Sequence, residues 1–192
     1  MTSPADEADE AAASFHILVV CTANRCRSAA GEALFRAAIG DRNLPVSVSS
    51  AGTAARDGLS MHPEIANVLS WWGMDVAAFR SRRVTHDMLA EADLILTATE
   101  AHRTSVARIQ PASIGRTFVL LQFADLVRRS HSGGLASASP EELLSTVRQA
   151  QSSLQPPTPG AYDLADPIGR AARQYSACVE SVARAVETVM GH

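Results

Sequence analysis

The sequence predicts an α/β domain with three layers, in which a four-stranded parallel sheet carries helices on both faces. Four short apolar segments have the length of buried strands, and helical patterns alternate with them along the chain. Strands that alternate with helices form parallel sheets that are covered on both faces. The predicted strands are residues 15–21, 46–51, 92–98 and 116–121, and the predicted helices are residues 28–39, 63–72, 100–109 and 170–190.

The ends of these elements carry ordinary helix signals. Gly40 follows the first helix, Pro63 suits the first turn of the second, and Gly73 follows its end. On helix 100–109 we expect His102 to face solvent, because nothing in the local pattern turns it inward. The last helix has an apolar stripe that includes Tyr175, which predicts packing against the sheet.

Residues 126–161 depart from the regular alternation, and we expect a single domain over residues 14–192 with an insertion there. A Gly- and Ser-rich stretch precedes a helix start at Ser139, where Glu142 completes a capping box. A Pro-rich segment at 155–160 then leads back to the domain. The insertion is either a lid beside the functional site or a helix that shields the core, and the sequence leaves both open.

Composition excludes several function classes. The chain has 192 residues and a net charge of −3, and its 17 basic residues are all Arg and are scattered. A nucleic-acid footprint is therefore not expected, and an aromatic content of 5% argues against stacking platforms for bases. Three cysteines form neither a disulfide framework nor a zinc pattern.

The N-terminal segment and the free cysteines bear on location. Residues 1–13 are acidic and lack the basic start and apolar core of a signal peptide, so we expect a disordered tail. No stretch is long enough to span a membrane. Free cysteines suit a reducing compartment, so we expect a cytoplasmic protein, and we expect a monomer.

The segment from His16 to Ser28 carries the strongest functional signal. An apolar run ends at Cys21, a short loop follows, and a helix begins near Ser28, with Arg27 just before it. Unpaired N–H groups at a helix start favour anions, and a guanidinium adds a planar fork of donors for phosphoryl oxygens. The same positive field favours the thiolate of Cys21, which is the reactive form. Asn24 suits a loop position with positive φ.

The motif VVCTANRCRSAAGEA resembles the phosphate-binding loop of low-molecular-weight protein tyrosine phosphatases. The matching positions are Val20, Cys21, Asn24, Cys26, Arg27, Ser28 and Glu32. Ala23 replaces the usual Gly and has to accept its backbone shape, and Ala29 replaces the usual Pro. The resemblance implies a flavodoxin-like fold of the phosphotyrosine phosphatase I type. It also implies that phosphate is held by Thr22, Ala23, Asn24, Arg25, Cys26 and Ser28.

Two further positions relate to the support of this loop. Ser50 lies in a Ser-Ala-Gly-Thr segment that the family commonly has at this place, which implies that its side chain helps to hold the loop; an ordinary strand-end turn is the alternative. Phe79 stands where the family commonly has a His of the same supporting network. The resemblance therefore leaves open how this part of the loop is supported, and it does not change the implied chemistry.

The segment YDLADPIG at 162–169 resembles the second signature of the family. Asp166 matches the general acid, and Pro167 stiffens the loop. Ile168 stands where an aromatic residue usually stacks on the substrate ring, and residues 54–57 also lack an aromatic residue. The resemblance implies a catalytic set of Cys21, Arg27 and Asp166 that hydrolyses a phosphorylated protein or a small aryl phosphate.

The implied mechanism is cysteine-dependent hydrolysis of phosphomonoesters, with phosphotyrosine in proteins as the expected substrate and a phosphocysteine intermediate. No cofactor or metal is expected. The resemblance also allows a reversible disulfide between Cys21 and Cys26, or simply a buried Cys26 thiol. Two alternatives remain open: an arsenate reductase of this fold that uses an external thiol, and a phosphocysteine carrier or phosphate-binding module.

Overall fold

The computed structural model describes residues 15–130, 132–155 and 157–191, so the predicted tail at 1–13 lies outside the described residues. The strands are β1 (Phe15–Cys21), β2 (Val46–Gly52), β3 (Leu94–Thr97) and β4 (Thr117–Val119). The α-helices are α1 (Arg27–Gly40), α2 (Pro63–Trp71), α3 (His86–Glu91), α4 (Glu100–Ile109), α5 (Leu120–Ser130), α6 (Pro140–Ser152) and α7 (Ala172–Met190). Two 3₁₀ helices span Pro111–Arg116 and Gly134–Ala136.

The sheet confirms the predicted fold. Its four strands are all parallel and lie in the order β2-β1-β3-β4. The strand order reverses between β1 and β3, and ligands of open α/β sheets bind at such a switch point, beyond the carboxyl ends of the strands. Cys21 is the last residue of β1, so it lies at this place.

Helices cover both faces of the sheet, as the alternation predicts. Alternate side chains of β1 belong to two separate apolar clusters: Ile17 and Val19 to the larger, Leu18 and Val20 to the smaller. The larger cluster includes residues of α1, α2, α5, α6 and α7, and the smaller includes residues of α3 and α4. Period-two alternation along a strand explains this division.

The predicted fourth strand, 116–121, is too long at its end. The strand stops at Val119, and Leu120 begins α5 directly. The reason is the spacing of Leu120, Phe123, Ala124 and Val127, which places four buried side chains on one face of a helix.

The segment 126–161 holds the end of α5, the second 3₁₀ helix and α6. Leu143, Leu144 and Val147 of α6 are buried in the larger cluster, so α6 covers core. The capping box at Ser139 and Glu142 is present as predicted. Among the described residues, none of the helices combines the length and apolarity that crossing a membrane requires.

Candidate active site

Cys21 ends β1 at the mouth of a loop that leads into α1. We call residues 21–27 the Cys21 loop. The Cys21 thiol is free and the residue is only 2% exposed. Its sulfur lies 3.0 Å from the hydroxyl oxygen of Ser28 in the first turn of α1. The hydroxyl is thus placed to donate a hydrogen bond to a sulfur that carries negative charge.

Arg27 is the first residue of α1, and its guanidinium lies inside the site. The residue is 5% exposed, and it donates to the carbonyl oxygen of Leu164 (3.2 Å) and to a carboxylate oxygen of Asp166 (2.7 Å). It also donates to the hydroxyl oxygen of Thr22 at 3.3 Å. Its Nε atom is buried and has no hydrogen-bond partner among the described residues. A buried, unpaired donor of a cation is costly, and an anion would satisfy it.

A network of buried polar side chains supports the Cys21 loop. Asn24 is buried with φ 53°, as its place in the loop predicts. Its amide nitrogen donates to the hydroxyl oxygens of Ser28 (2.9 Å) and Ser50 (2.7 Å), and its oxygen accepts from the backbone N–H of Arg82 (2.9 Å). Ser50 in turn donates to Glu32 at 2.5 Å. The hydrogen bond between Asn24 and Ser50 is therefore consistent with the predicted role of Ser50 in supporting the loop.

The loss of the family His at Phe79 does not leave this network open. Phe79 packs against the larger apolar cluster, while Glu32 and Arg82 complete the polar network around Asn24 and Ser50. Arg82 also donates from Nε to the carbonyl oxygen of Ser50 at 2.8 Å. Glu32 and Arg82 therefore supply contacts to Asn24 and Ser50 in this chain, which lacks the family His.

Small residues let β2 approach the Cys21 loop. A Cβ atom on Gly52 would lie 2.5 Å from the carbonyl oxygen of Thr22 and 2.8 Å from the backbone nitrogen of Asn24. Only glycine fits there, since both neighbours are backbone atoms. Ala23 lies outside the left-handed region in which Asn24 is found, so it bears no strain for lack of a glycine.

We expect Asn24→Ala to destabilise the protein far more than Asn43→Ala does. Both residues have positive φ, 53° and 48°, but Asn43 is exposed, so it serves as the matched control. The control should cost about 1 kcal/mol of unfolding free energy for the strained backbone. Loss of the Asn24 hydrogen bonds should raise the cost to about 3 kcal/mol or more. Urea unfolding measures both values, and equal costs would contradict the role of the network.

Asp166 lies opposite the Cys21 loop, on the segment that precedes α7. Its side chain is 46% exposed and forms the ion pair with Arg27. One carboxylate oxygen accepts from the backbone N–H of Ile168 at 3.2 Å, which shapes the turn at Pro167. The segment is tied to the carboxyl end of β3, because the N–H of Leu164 donates to the carbonyl oxygen of Ala98. Asp166 therefore lies beside the Cys21 loop, in contact with Arg27.

His102 does not face solvent, and this prediction is wrong. The residue is 8% exposed, with Nε2 2.8 Å from the Thr22 hydroxyl oxygen and Nδ1 2.6 Å from that of Thr99. Thr99 caps α4, and the contact between His102 and Thr22 joins the first turn of this helix to the Cys21 loop. The pKa of His102 is lowered from 6.5 to about 4, chiefly by burial and also by the nearby Arg27, while Asp163 and Asp166 act in the opposite direction.

The lowered pKa of His102 predicts a loss of stability in mild acid. The imidazole binds a proton near pH 6.5 in the unfolded chain but only near pH 4 in the folded chain. The free energy of unfolding therefore decreases as the pH falls from 6.5 to 4. The penalty is absent above the window, complete below it, and amounts to roughly 3 kcal/mol. Urea unfolding at pH 7 and pH 4.5 should show most of this loss in the wild type and less of it in His102→Gln. An identical pH slope in the two proteins would contradict it.

The other two cysteines are unsuited to act as nucleophiles. Burial raises the pKa of the Cys26 thiol to about 12, and the neighbouring Cys21 adds to the rise. Burial also raises the pKa of Cys178 to about 12, although Arg27 opposes this shift. Arg25 directs its Nε toward the carbonyl oxygen of Ser60 at 2.9 Å, on the rim of the site. Burial therefore disfavours the reactive thiolate form of both Cys26 and Cys178.

The rim beside Asp166 lacks an aromatic wall, as the sequence indicates. Ile168 is 49% exposed, and Ala54 and Arg56, in the segment that follows β2, are exposed as well. No group of three or more His, Cys, Asp or Glu side chains with metal-binding spacing occurs in the described part of the chain.

Sequence reasoning missed three contributors: Glu32, Arg82 and His102. Glu32 was recognised only as a motif position, although a buried acid on a helix that faces the sheet calls for a partner. Arg82 belongs to a run of arginines that favours a solvated face, and its backbone N–H gives no sequence signal. For His102 the Thr three residues earlier is recognisable as a helix cap, but a cap marks where the helix starts and not which way its first turn faces.

The fold and the site define a class. A thiol at the carboxyl end of the first strand, a loop that wraps toward a helix start, and a buried guanidinium with an unpaired donor form a nucleophile inside an oxyanion site. With an acid held opposite, this is the arrangement of a cysteine-based phosphatase.

Comparison with known proteins gives the family. The family model for low molecular weight phosphotyrosine protein phosphatases matches residues 16–134, which is more than half of the chain. A probable low molecular weight protein-tyrosine-phosphatase, EpsP of Ralstonia nicotianae, is 37% identical over 105 residues, which cover 54% of this chain and 69% of the relative. The chain therefore belongs to the low molecular weight phosphotyrosine protein phosphatase family and is a hydrolase of that class.

The chain is also similar to proteins that are named arginine phosphatases. A protein-arginine-phosphatase of Geobacillus stearothermophilus is 34% identical over 110 residues, covering 57% of this chain and 71% of the relative. The solved structure of the YwlE arginine phosphatase from the same organism superposes with a TM-score of 0.67 at 27% identity, covering 92% of this chain and 90% of that one.

Proposed function

We propose that this protein hydrolyses phosphomonoesters, with phosphotyrosine in proteins as the first candidate substrate, through a phosphocysteine formed on Cys21. One observation supports this most strongly: the Cys21 sulfur and the unpaired Nε of Arg27 belong to one loop at the start of α1. The test is release of phosphate from an aryl phosphate by the purified protein, which we expect to be fastest at mildly acidic pH. No release over that range would end the proposal.

The first step is attack of the Cys21 thiolate on phosphorus in line with the departing oxygen. Arg27 and the N–H groups at the start of α1 hold the three other phosphoryl oxygens as charge shifts among them. Phosphoryl transfer gains most of its rate from such positioned charge. A phosphoryl group between the sulfur and Arg27 would satisfy the orphaned Nε.

Asp166 then gives a proton to the leaving oxygen, which requires its carboxylate to have taken up that proton from solvent by the time the substrate is bound. In the ligand-free site its carboxylate is paired with Arg27, so this ion pair has to open when a phosphoryl dianion takes the guanidinium. The exposed side chain has room for that movement. In the second step Asp166 takes a proton from the water that attacks the phosphocysteine, which regenerates the thiolate.

Ser28 serves the second step. Its hydroxyl lies 3.0 Å from the Cys21 sulfur and donates to the thiolate as the sulfur leaves phosphorus. Asn24 keeps the hydroxyl in this direction, since its amide donates to the same oxygen. Thr22, Ala23, Arg25 and Cys26 contribute to the oxyanion site through the backbone that encloses it.

We expect Asp166→Asn to lower kcat by roughly 100- to 1000-fold, because the proton donor and the base are both lost. The loss should be larger for an alkyl phosphate than for p-nitrophenyl phosphate, whose leaving group needs little protonation. Steady-state kinetics on the two esters measures the difference. Asp163→Asn is the control, since Asp163 lies on the same segment but accepts from the backbone N–H of Glu100. Equal losses on both esters would rule out Asp166 as the acid.

The substrate is set by the rim, and the rim lacks the aromatic wall that would stack on a phosphotyrosine ring. A panel of phosphotyrosine peptides, phosphoarginine peptides, small aryl phosphates and arsenate with and without a low-molecular-weight thiol separates the candidates. We expect phosphotyrosine and aryl phosphates to be turned over. Turnover of arsenate only, or stable phosphorylation of Cys21 without release, would support the reductase or the carrier instead.

The remaining expectations follow from this chemistry. A free catalytic thiol works in a reducing compartment, and we propose the cytoplasm as the place of action and a monomer as the working form. We propose one phosphatase domain over residues 14–192, in which the segment 126–161 is an insertion that covers core through α6. The disulfide between Cys21 and Cys26 stays a prediction; both thiols are free in the structure.

A further inference from the structure

A continuous chain of hydrogen bonds runs from the cap of α4 to the guanidinium of the site. Thr99 contacts Nδ1 of His102 at 2.6 Å, and Nε2 of His102 contacts the Thr22 hydroxyl oxygen at 2.8 Å. The same oxygen accepts from Arg27 at 3.3 Å. Thr22 is exposed, whereas His102 and Arg27 are buried, so Thr22 is the point at which this chain reaches the open site.

The Thr22 hydroxyl has one proton to donate and two lone pairs that can accept. Arg27 is only a donor, so it occupies one lone pair. If Nε2 of His102 carries the ring proton, it occupies the second, and the Thr22 proton is free for an anion. If Nε2 is instead bare, the Thr22 proton points back to the ring, and a lone pair faces the anion, which is repulsive.

The other end of the chain is compatible with the first arrangement. Thr99 is the cap of α4, and its oxygen accepts from the backbone N–H of His102 at 3.3 Å. Its own proton is then available for Nδ1 of the ring, which leaves the ring proton on Nε2. Burial and Arg27 keep the imidazole neutral by lowering its pKa to about 4, so the ring carries a single proton at neutral pH.

We propose that His102 is a positioning residue that turns the Thr22 hydroxyl proton toward the oxyanion held over Cys21. Thr22 thereby adds a side-chain donor to those of Arg27 and the helix start. The inference rests on the proposed function, since the oxyanion is the phosphoryl group of that same site. His102 itself touches Thr22 and Thr99, not the substrate.

The direct test is the tautomer of His102 in the folded wild-type protein, read from ¹⁵N chemical shifts of histidine-labelled protein at neutral pH. The inference predicts the form protonated on Nε2. A ring protonated on Nδ1 would overturn it. This result is separate from the proposed function: a wild type that hydrolyses no phosphomonoester fails the function, whereas an active wild type with the other tautomer fails only this inference.

The second test uses inhibition by inorganic phosphate, which reads the oxyanion site without chemistry. Thr22→Val should weaken the binding of inorganic phosphate about tenfold. It should raise KM more than it lowers kcat, because the hydrogen bond that is lost exists in both the ground state and the transition state. Thr22→Ser keeps the hydroxyl and should stay within about threefold of wild type.

His102→Leu should weaken phosphate binding as much as Thr22→Val does. The double variant should bind phosphate no more weakly than Thr22→Val alone. His102→Gln, which offers an amide donor near the position of Nε2, should restore most of the affinity. Unchanged affinity in His102→Leu would overturn the inference, as would a full further loss in the Thr22→Val background. If His102→Leu does not fold, the tautomer decides alone.

Discussion

Cys21→Ser should lower kcat/KM for an aryl phosphate by at least about 10⁴-fold, to the level of the protein-free reaction. The hydroxyl has nearly the shape of the thiol, so the Cys21 loop and its contact with Ser28 should survive. What is lost is the sulfur nucleophile, because a serine hydroxyl is a far weaker nucleophile than a cysteine thiolate. Steady-state release of p-nitrophenol measures the effect.

The matched control for this change is Cys178→Ser, which makes the same one-atom substitution at a buried position of α7. Cys178 is not used in the mechanism, so the folded control should keep activity near that of the wild type. Circular dichroism of both variants shows whether they are folded. Activity that survives in Cys21→Ser, or disappears equally in the folded control, would contradict Cys21 as the nucleophile.

Arg27→Lys should lower kcat/KM by roughly 100- to 1000-fold, although the positive charge is kept. Lysine cannot present the planar fork that reaches Leu164, Asp166 and Thr22 while leaving Nε for the anion. The loss should fall mostly on kcat, since the fork fits the trigonal phosphoryl group of the transition state best.

Arg108→Lys, at the last turn of α4, is the control for this substitution. Basic side chains at a helix end contribute by charge rather than by a fork, so the exchange there should leave both kcat and stability near wild type. An Arg27→Lys variant that keeps wild-type kcat would show that charge alone is enough, and the account of the fork would be wrong.

The sequence predicted those parts of the site that are local in the chain. Cys21, Asn24 and Arg27 lie within one short motif. The apolar pattern of the strand before it and the helical pattern after it are adjacent in the sequence. The positive φ of Asn24 follows from a residue type that tolerates it. Asp166 was reached through its motif and its place before the last helix, and the ion pair to Arg27 brings it to the site.

What the sequence could not supply depends on contacts between distant segments. His102 and Thr22 are 80 residues apart, and the apolar pattern of α4 does not say which way a capped first turn faces. The bond from Arg82 to Asn24 joins residues 58 apart and uses a backbone N–H, which every residue but proline has.

The boundary of β4 failed for a different reason. A short apolar run does not by itself distinguish a strand from the first turn of a buried helix. The spacing of Leu120, Phe123, Ala124 and Val127 was the signal that α5 begins at once. The apolar face of α5 continues beyond residue 121, where the predicted strand ends, and reaches Val127 in the insertion predicted from residue 126.

The most direct measurement of the central claim is to trap the covalent intermediate. Asp166→Asn mixed with p-nitrophenyl phosphate should release one equivalent of p-nitrophenol quickly and then turn over slowly, because the base for the second step is missing. Acid-quenched protein should carry a phosphoryl group, located on Cys21 by mass spectrometry. A phosphoryl group found on any other residue would contradict the account. So would hydrolysis of the ester with no phosphorylated protein, even after a rapid quench.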